Sequence, residues 1–216
     1  MKTKIILIII ISISLANQLK AQEKETYNVL IMGVPQFLVL NGIRVDIDKN
    51  IKGTNRWIVF SPEIYNGKGE GIIDVASRDF LLDKVVGAGM GCAFKYVFSK
   101  KSNAQGIYLA GGGAYQYFDI KSQGIIWSPE SEGSVTLEQR IGQVHTTINK
   151  IGVHSYIGYQ SKLTDEFMVD FFVGFGLRLS IDNTDQNGIT DLGVFPGDYA
   201  YSGTTLVAGI RFGLGY

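Results

Sequence analysis

The sequence predicts an all-β protein, an eight-stranded antiparallel transmembrane β-barrel preceded by a cleavable signal peptide. Three observations carry this. The first is an export leader over residues 1–21. The second is long period-two segments with one continuous apolar face. The third is an alternation of short and long polar connections between those segments. Barrel strands that meet lipid outside and a packed polar interior inside produce the last two together.

The leader opens with Lys2 and Lys4, followed by an apolar core from Ile5 to Ala16 interrupted only by Ser12 and Ser14. That core is shorter than the roughly 20 residues a spanning helix needs. Ala21 before Gln22 supplies a small residue at a cleavage site. Residues 1–21 are therefore read as a signal peptide and 22–216 as the barrel domain. The leader holds no Cys, which argues against a lipoprotein anchor.

The whole chain balances 20 basic against 20 acidic residues. Without Lys2, Lys4 and Lys20 the remainder carries a net −3. No basic excess points to nucleic acid. Glycine is abundant at 27 and proline scarce at 4, as suits long, closely packed strands. Cys92 is the single cysteine, so no intrachain disulfide forms. Within an alternating apolar run it reads as a small hydrophobe.

The strongest strand is Phe167 to Ile181. Phe167, Val169, Phe171, Val173, Phe175, Leu177, Leu179 and Ile181 share one face. Met168, Asp170, Phe172, Gly174, Gly176, Arg178 and Ser180 share the other. The final strand repeats this, with Leu206, Ala208, Ile210, Phe212, Leu214 and Tyr216 opposite Val207, Gly209, Arg211, Gly213 and Gly215. Tyr216 suits a membrane interface. Phe212, Leu214 and Tyr216 are read as a C-terminal assembly signal. Arg211 stands where a glycine is usual in such a signal.

Other strands run from Val86 to Phe98, through the glycine-rich segment 106–119, around Ile151 to Tyr159, and around Ile43 to Ile47. Trp57 to Tyr65 is a strand whose facing the pattern leaves open, and Pro62 suggests a bend or bulge there. Tyr27 to Val34, ended by Pro35, completes eight. Residues 49–54, 99–105 and 162–165 read as short turns. Residues 66–84, 120–145 and 182–203 read as long loops, with a helical turn or two over Val135 to Gln143. Residues 35–41 form a short outer connection.

Several fragments resemble one family. The segment GYQ at 158–160, a short turn and FMVDFFVGFGLRLS at 167–180 are similar to the penultimate hairpin of small outer-membrane barrels of Bacteroidetes, including the DUF3575-like group of OmpA/OmpX-type architecture. NGIRVDIDKNI and RWIVFSPEIY resemble their second and third strands, with an acidic residue at Asp46. The resemblance covers most of residues 27–216. It implies an eight-stranded barrel in the cell outer membrane, and no activity or cofactor.

The inward faces collect Arg44, Asp46, Asp48, Lys95, Lys150, His154, Asp170, Arg178 and Arg211. An eight-stranded barrel leaves room for little beyond its own side chains. Charges there must pair, because an isolated buried charge is costly. Arg44, Asp46, Lys95, His154, Asp170, Arg178 and Arg211 are thus expected to form a structural lumenal network, with a narrow proton or ion path as the competing role.

The expected function is a structural or surface-interaction barrel with a filled lumen and no catalysis. The expected partners are outer-membrane lipids and the barrel-assembly machinery, with no nucleic acid and no cofactor. The alternative is a lipid-modifying enzyme on the same barrel. His154 and Ser155 are adjacent and point to opposite faces. His145 and Thr147 share a face, with no acid evident for the imidazole. The oxygen-rich loop from Asp182 through Asp185 to Asp191 does not meet calcium-loop spacing. A lipocalin-like soluble barrel would need a polar outer face, and a porin needs about 16–18 strands. Trp127, Phe80, Leu81, Leu82, Phe195, Tyr199 and Tyr201 in the long loops either cover the barrel mouth or lie at the lipid interface, or bind a partner, a glycan or a neighbouring barrel.

Overall fold

The computed structural model describes residues 26–35, 42–67, 82–100, 102–129, 137–184, 188–189, 192–193 and 198–216. The leader, the connection 36–41 and the tips of the long loops lie outside the described residues.

Among the described residues nine strands follow in chain order: β1 Val29–Gly33, β2 Gly42–Asn50, β3 Arg56–Gly67, β4 Leu82–Val97, β5 Gly106–Pro129, β6 Leu137–Lys162, β7 Phe167–Thr184, β8 Gly188–Ile189 and β9 Gly203–Gly215. All pair antiparallel. β4 joins β5 as well as β3, so the sheet closes through β1, β2, β3, β4, β5, β6, β7 and β9 into an eight-stranded barrel. The two-residue β8 pairs with β5 at Ile125 and Ile126 and lies outside the ring. Closure leaves no unpaired sheet edge along the shared height of the wall.

The short β1 makes the seam. Ile31 lies opposite Leu214 and Gly33 opposite Phe212. The amides of Asn28 and Val29 donate to the Tyr216 carbonyl at 2.7 and 3.1 Å, and the Tyr216 amide donates back to Val29 at 2.9 Å.

β3 has a definite facing. Trp57, Val59, Ser61, Glu63 and Tyr65 point inward and are buried. The expected bulge at Pro62 is not there. Pairing with β4 keeps one register from Arg56 to Gly67. Pairing with β2 has the same register on both sides of the proline and lacks only the rungs beside it. A proline at an outward position removes a ladder donor without demanding an extra residue.

The region 120–145 is mostly not a loop. β5 and β6 stay paired from Gly106↔Gln160 to Pro129↔Leu137. Residues 137–143 are therefore strand, where a helical turn was expected. β4 reaches only Ser122 on β5, and β7 only Thr146 on β6. The hairpin thus stands above the rim. Its polar sequence reads as loop because no core or lipid demands alternation there.

Hydrophobic burial is inverted relative to a water-soluble domain. Among the described residues, 32 large apolar side chains are exposed, against 21 buried hydrophobic residues. Met90, Ile151, Val153, Phe175, Leu177, Leu206 and Cys92 all lie on the outer wall.

Candidate functional site

The lumen is built in layers, because the inward residues of neighbouring strands meet at fixed register. The floor is Trp57, Leu30, Met32, Met168, Val97 and Ala104. The β4–β5 turn folds across it. Asn103 accepts from the Tyr27 amide at 2.9 Å through Oδ1 and donates to the Tyr27 carbonyl at 2.7 Å through Nδ2. The Trp57 indole donates to the Asn103 carbonyl at 2.7 Å. This turn reads in sequence as a solvated polar connection, yet Asn103 and Ala104 are fully buried.

Above the floor lies a charged layer. Arg211 donates to Asp46 at 2.9 Å through Nη1, and to Tyr108 at 3.1 Å and Asp170 through Nη2. Its Nη1 also lies 3.7 Å from Asp48. The Tyr108 hydroxyl donates to Asp170 at 2.8 Å. Lys95 pairs with Asp48 and donates to the Gln160 side chain at 2.9 Å. Its ammonium sits 5.4 Å from the Trp57 ring centre and 5.1 Å from that of Tyr108. Arg44 pairs with Asp46 at 2.7 Å and donates to Ser61 at 3.1 Å. Three cations and three carboxylates thus offset one another, with Arg44, Asp46 and Arg211 also lining the cavity above.

Higher up, the wall becomes thin. Ser61, Gly91, Ala114, Gly152, Arg178 and Gly203 lie side by side round the barrel. Only one of these six side chains is large. A cavity of about 80 Å³ opens at this level, lined in part by Glu63, Lys150, His154, Arg178 and Thr205. On β3, Glu63 leans over Gly89 and accepts from Gln116 of β5 at 2.5 Å.

The lid is a second apolar cluster of Tyr65, Val85, Phe118, Ile120, Ile148 and Leu192, with Tyr199 and Ala200 against it. The Phe118 ring lies 5.0 Å from Tyr199 and 4.8 Å from Tyr65. Lys150 donates to the Asp198 carbonyl at 3.4 Å. Leu192, Asp198, Tyr199 and Ala200 of the β7–β9 connection therefore sit in the mouth.

All nine charged residues placed inward by period two line the lumen or reach into it. Arg44, Asp46, Asp48, Lys95, Asp170 and Arg211 are brought together. Lys150, His154 and Arg178 form a separate upper group, and His154 stacks on Tyr156 with ring centres 5.6 Å apart. Sequence reasoning missed Tyr108, Gln160, Glu63 and Asn103. Continuing the alternation inward from Ile107 and Leu109 would have placed Tyr108; nothing local marks Asn103. Phe212, Leu214 and Tyr216 lie on the outer face beside the seam.

On the outer wall, His145 does have an acid. Its Nε2 lies 3.1 Å from Asp119 across the β5–β6 ladder. The hydroxyl of Thr147 donates instead to the Asn183 carbonyl at 3.4 Å. His154 faces in, and Ser155 faces out and bonds the Ala110 carbonyl at 3.2 Å. Of the oxygen-rich loop, Asp182 and Asn183 close β7 with exposed side chains; residues 185–187 and 191 lie outside the described residues. Trp127 is exposed on β5. Phe80, Leu81 and Phe195, with the side chain of Leu82, lie outside the described residues.

A closed eight-stranded antiparallel barrel with charges within and apolar side chains without has an outer-membrane-type fold. Crystal structures of CarO and CarO2 from Acinetobacter baumannii are similar to it, at 12% and 11% identity and TM-scores of 0.39 and 0.41. Each match covers 90% of this chain and 100% of the other. The fold assignment rests on the barrel itself. No protein-family model matches the chain. No curated protein matches it.

Proposed function

We propose that the chain spans the outer membrane of a Gram-negative bacterium as a small, self-filled barrel with a structural or surface-interaction role and no catalysis. The observation that carries this reading is the apolar outer wall. On β6 the outward residues run from Asn149 through Ile151, Val153 and Ile157 to Tyr159. Those ten steps, at about 3.3 Å each and tilted ~40°, project to about 25 Å, the height of an outer-membrane apolar band. Tyr96, Phe98, Tyr159 and Tyr216 flank one end, and Tyr115 and Tyr117 the other. A soluble monomer's largest apolar patch is about 300–600 Å², which a belt round the whole barrel exceeds.

The residue 1–21 leader supports export, and Phe212, Leu214 and Tyr216 support insertion by the barrel-assembly machinery. The fragments at 43–65 and 158–180 support membership of the Bacteroidetes group. The floor and lid argue for a lumen that does not conduct. Cell fractionation tests the reading: the protein is expected in detergent-extracted outer membranes, with migration on denaturing gels that shifts on boiling. Recovery as a soluble periplasmic protein sinks it.

A second reading, a lipid-modifying enzyme, draws on the Asp119–His145 pair near the outer rim. Mass spectrometry of lipid A and phospholipids from a deletion strain decides between them. Unchanged lipids leave the structural reading; a lost modification replaces it.

A further inference from the structure

The upper cavity holds a set of groups that the charged layer below does not use. Arg178 stands opposite Gly152, so Lys150 and His154 on β6 are its diagonal neighbours on the same face. Among the described residues Arg178 has neither an ion pair nor a hydrogen bond, and Lys150 makes no ion pair: it donates to the Asp198 carbonyl and lies over the Phe118 ring. Thr205 lies opposite Gly176, which itself lies opposite His154. Thr205 is 3% exposed, and its hydroxyl is a buried polar atom with no partner. It lines the same cavity, and a Cβ placed on Gly176 would come within 3.1 Å of that hydroxyl. The glycines leave open the space into which these donors face.

We propose that this cavity binds a small oxyanion such as inorganic phosphate, with Arg178 and Lys150 supplying the charge and Thr205 a hydroxyl donor. Two cations held side by side in a confined, weakly screened site repel each other, and a shared anion reverses that repulsion. A guanidinium fork and an ammonium are the donors suited to oxyanions. On the same volume measure one water needs about 10–15 Å³, so about 80 Å³ holds a group of four or five heavy atoms. Three carboxylates compete for these donors: Asp46, Glu63 and Asp198, the last acting on Lys150. Asp46 is neutralised by Arg44 and Arg211. Glu63 accepts from Gln116 of the β5 wall, and its charge still acts across the cavity on Arg178 and Lys150, so it competes with a bound anion. The site is internal and does not depend on what surrounds the outer wall.

The test is calorimetric titration of inorganic phosphate into the folded barrel in phosphate-free detergent buffer. Folding of each variant is checked by heat-modifiable migration. One saturable site is expected. Arg178→Gln is expected to weaken it at least ten-fold, and Glu63→Gln to tighten it several-fold. If Arg178→Gln does not fold, Thr205→Val carries the same expectation of weaker binding. Absence of saturable heat overturns the proposal. So does unchanged affinity in the folded Arg178→Gln variant, or in Thr205→Val where that variant stands in. Weaker binding in Glu63→Gln overturns it too, because that would make the carboxylate part of the site.

Discussion

The charged layer and the cavity above it share one lumen and are built from the same residue types, yet they are opposite in design. Below, Asp46, Asp48 and Asp170 meet Arg44, Lys95 and Arg211, and the space left over is filled by Trp57, Tyr108 and Gln160. Above, Lys150, His154 and Arg178 share a cavity with Ser61, Gly91, Ala114 and Gly152 as well as Glu63. The lower layer pairs its charges with one another, though Asp48 Oδ1, Gln160 Nε2 and Arg211 Nε keep no hydrogen bond, and becomes a packed wall. The upper one leaves Arg178 and Lys150 without a direct ion pair among the described residues and becomes a chamber. The teaching is that register, rather than composition, separates a plug from a site.

The sharpest way to break this contrast is Arg211→Met. It strands Asp170 inside the barrel without its ion pair and leaves Asp46 to Arg44 alone, and losing one partner of a buried pair costs about 3–5 kcal/mol. Urea unfolding in lipid vesicles, read by boiled and unboiled migration, measures it; a loss below 1 kcal/mol would mean that the layer is wet and screened. Replacing both Lys95 and Asp48 by apolar residues should cost less than replacing either one, because no lone charge remains.

The contrast also presumes a lipid exterior. Phe175→Lys on the outer wall should cost about 2–4 kcal/mol in a bilayer if that position lies near the midplane. The same substitution would be nearly neutral if water bathed that face. Unfolding of the variant in vesicles separates the two.

Arg178→Gln should change stability by less than about 1 kcal/mol, since no protein partner is left behind. A large loss would place Arg178 in the structural layer after all. The smallest effect belongs to the exposed β6–β7 turn. Lys162 lies 2.9 Å from Asp165, and this hydrogen bond holds the Asp165 carboxyl below its ordinary value. A depressed folded value contributes stability above the unfolded carboxylate range and loses it as pH falls through the folded one. Solvent screens this pair, so Asp165→Asn should leave the unfolding midpoint unchanged at pH 7 and erase only a slight acid dependence. A clear shift at neutral pH would show that the turn matters to the barrel.

Much of this was legible in sequence because a strand carries its own facing. Alternation with period two assigned Asp170, Arg178 and Arg211 to one side and Phe175 and Leu206 to the other, and no partner strand was needed for that. β3 was the exception. Its inner face mixes Trp57 and Val59 with Ser61 and Glu63, and its outer face mixes Phe60 and Ile64 with Arg56 and Pro62, so hydropathy alone does not say which is which. The β5–β6 hairpin failed for a different reason: above the rim both faces are solvated, and a polar strand looks like a loop.

The sequence by itself determined that the chain forms strands, which side chains turn inward, and that many charges share a narrow lumen. Only the tertiary structure decided which charges meet. Arg211 and Asp46 are 165 positions apart, Asn103 and Tyr27 are 76 apart, and Thr205 reaches its place beside His154 through Gly176 of an intervening strand. Facing is a local property of one strand's backbone, whereas pairing depends on the register accumulated round a closed ring.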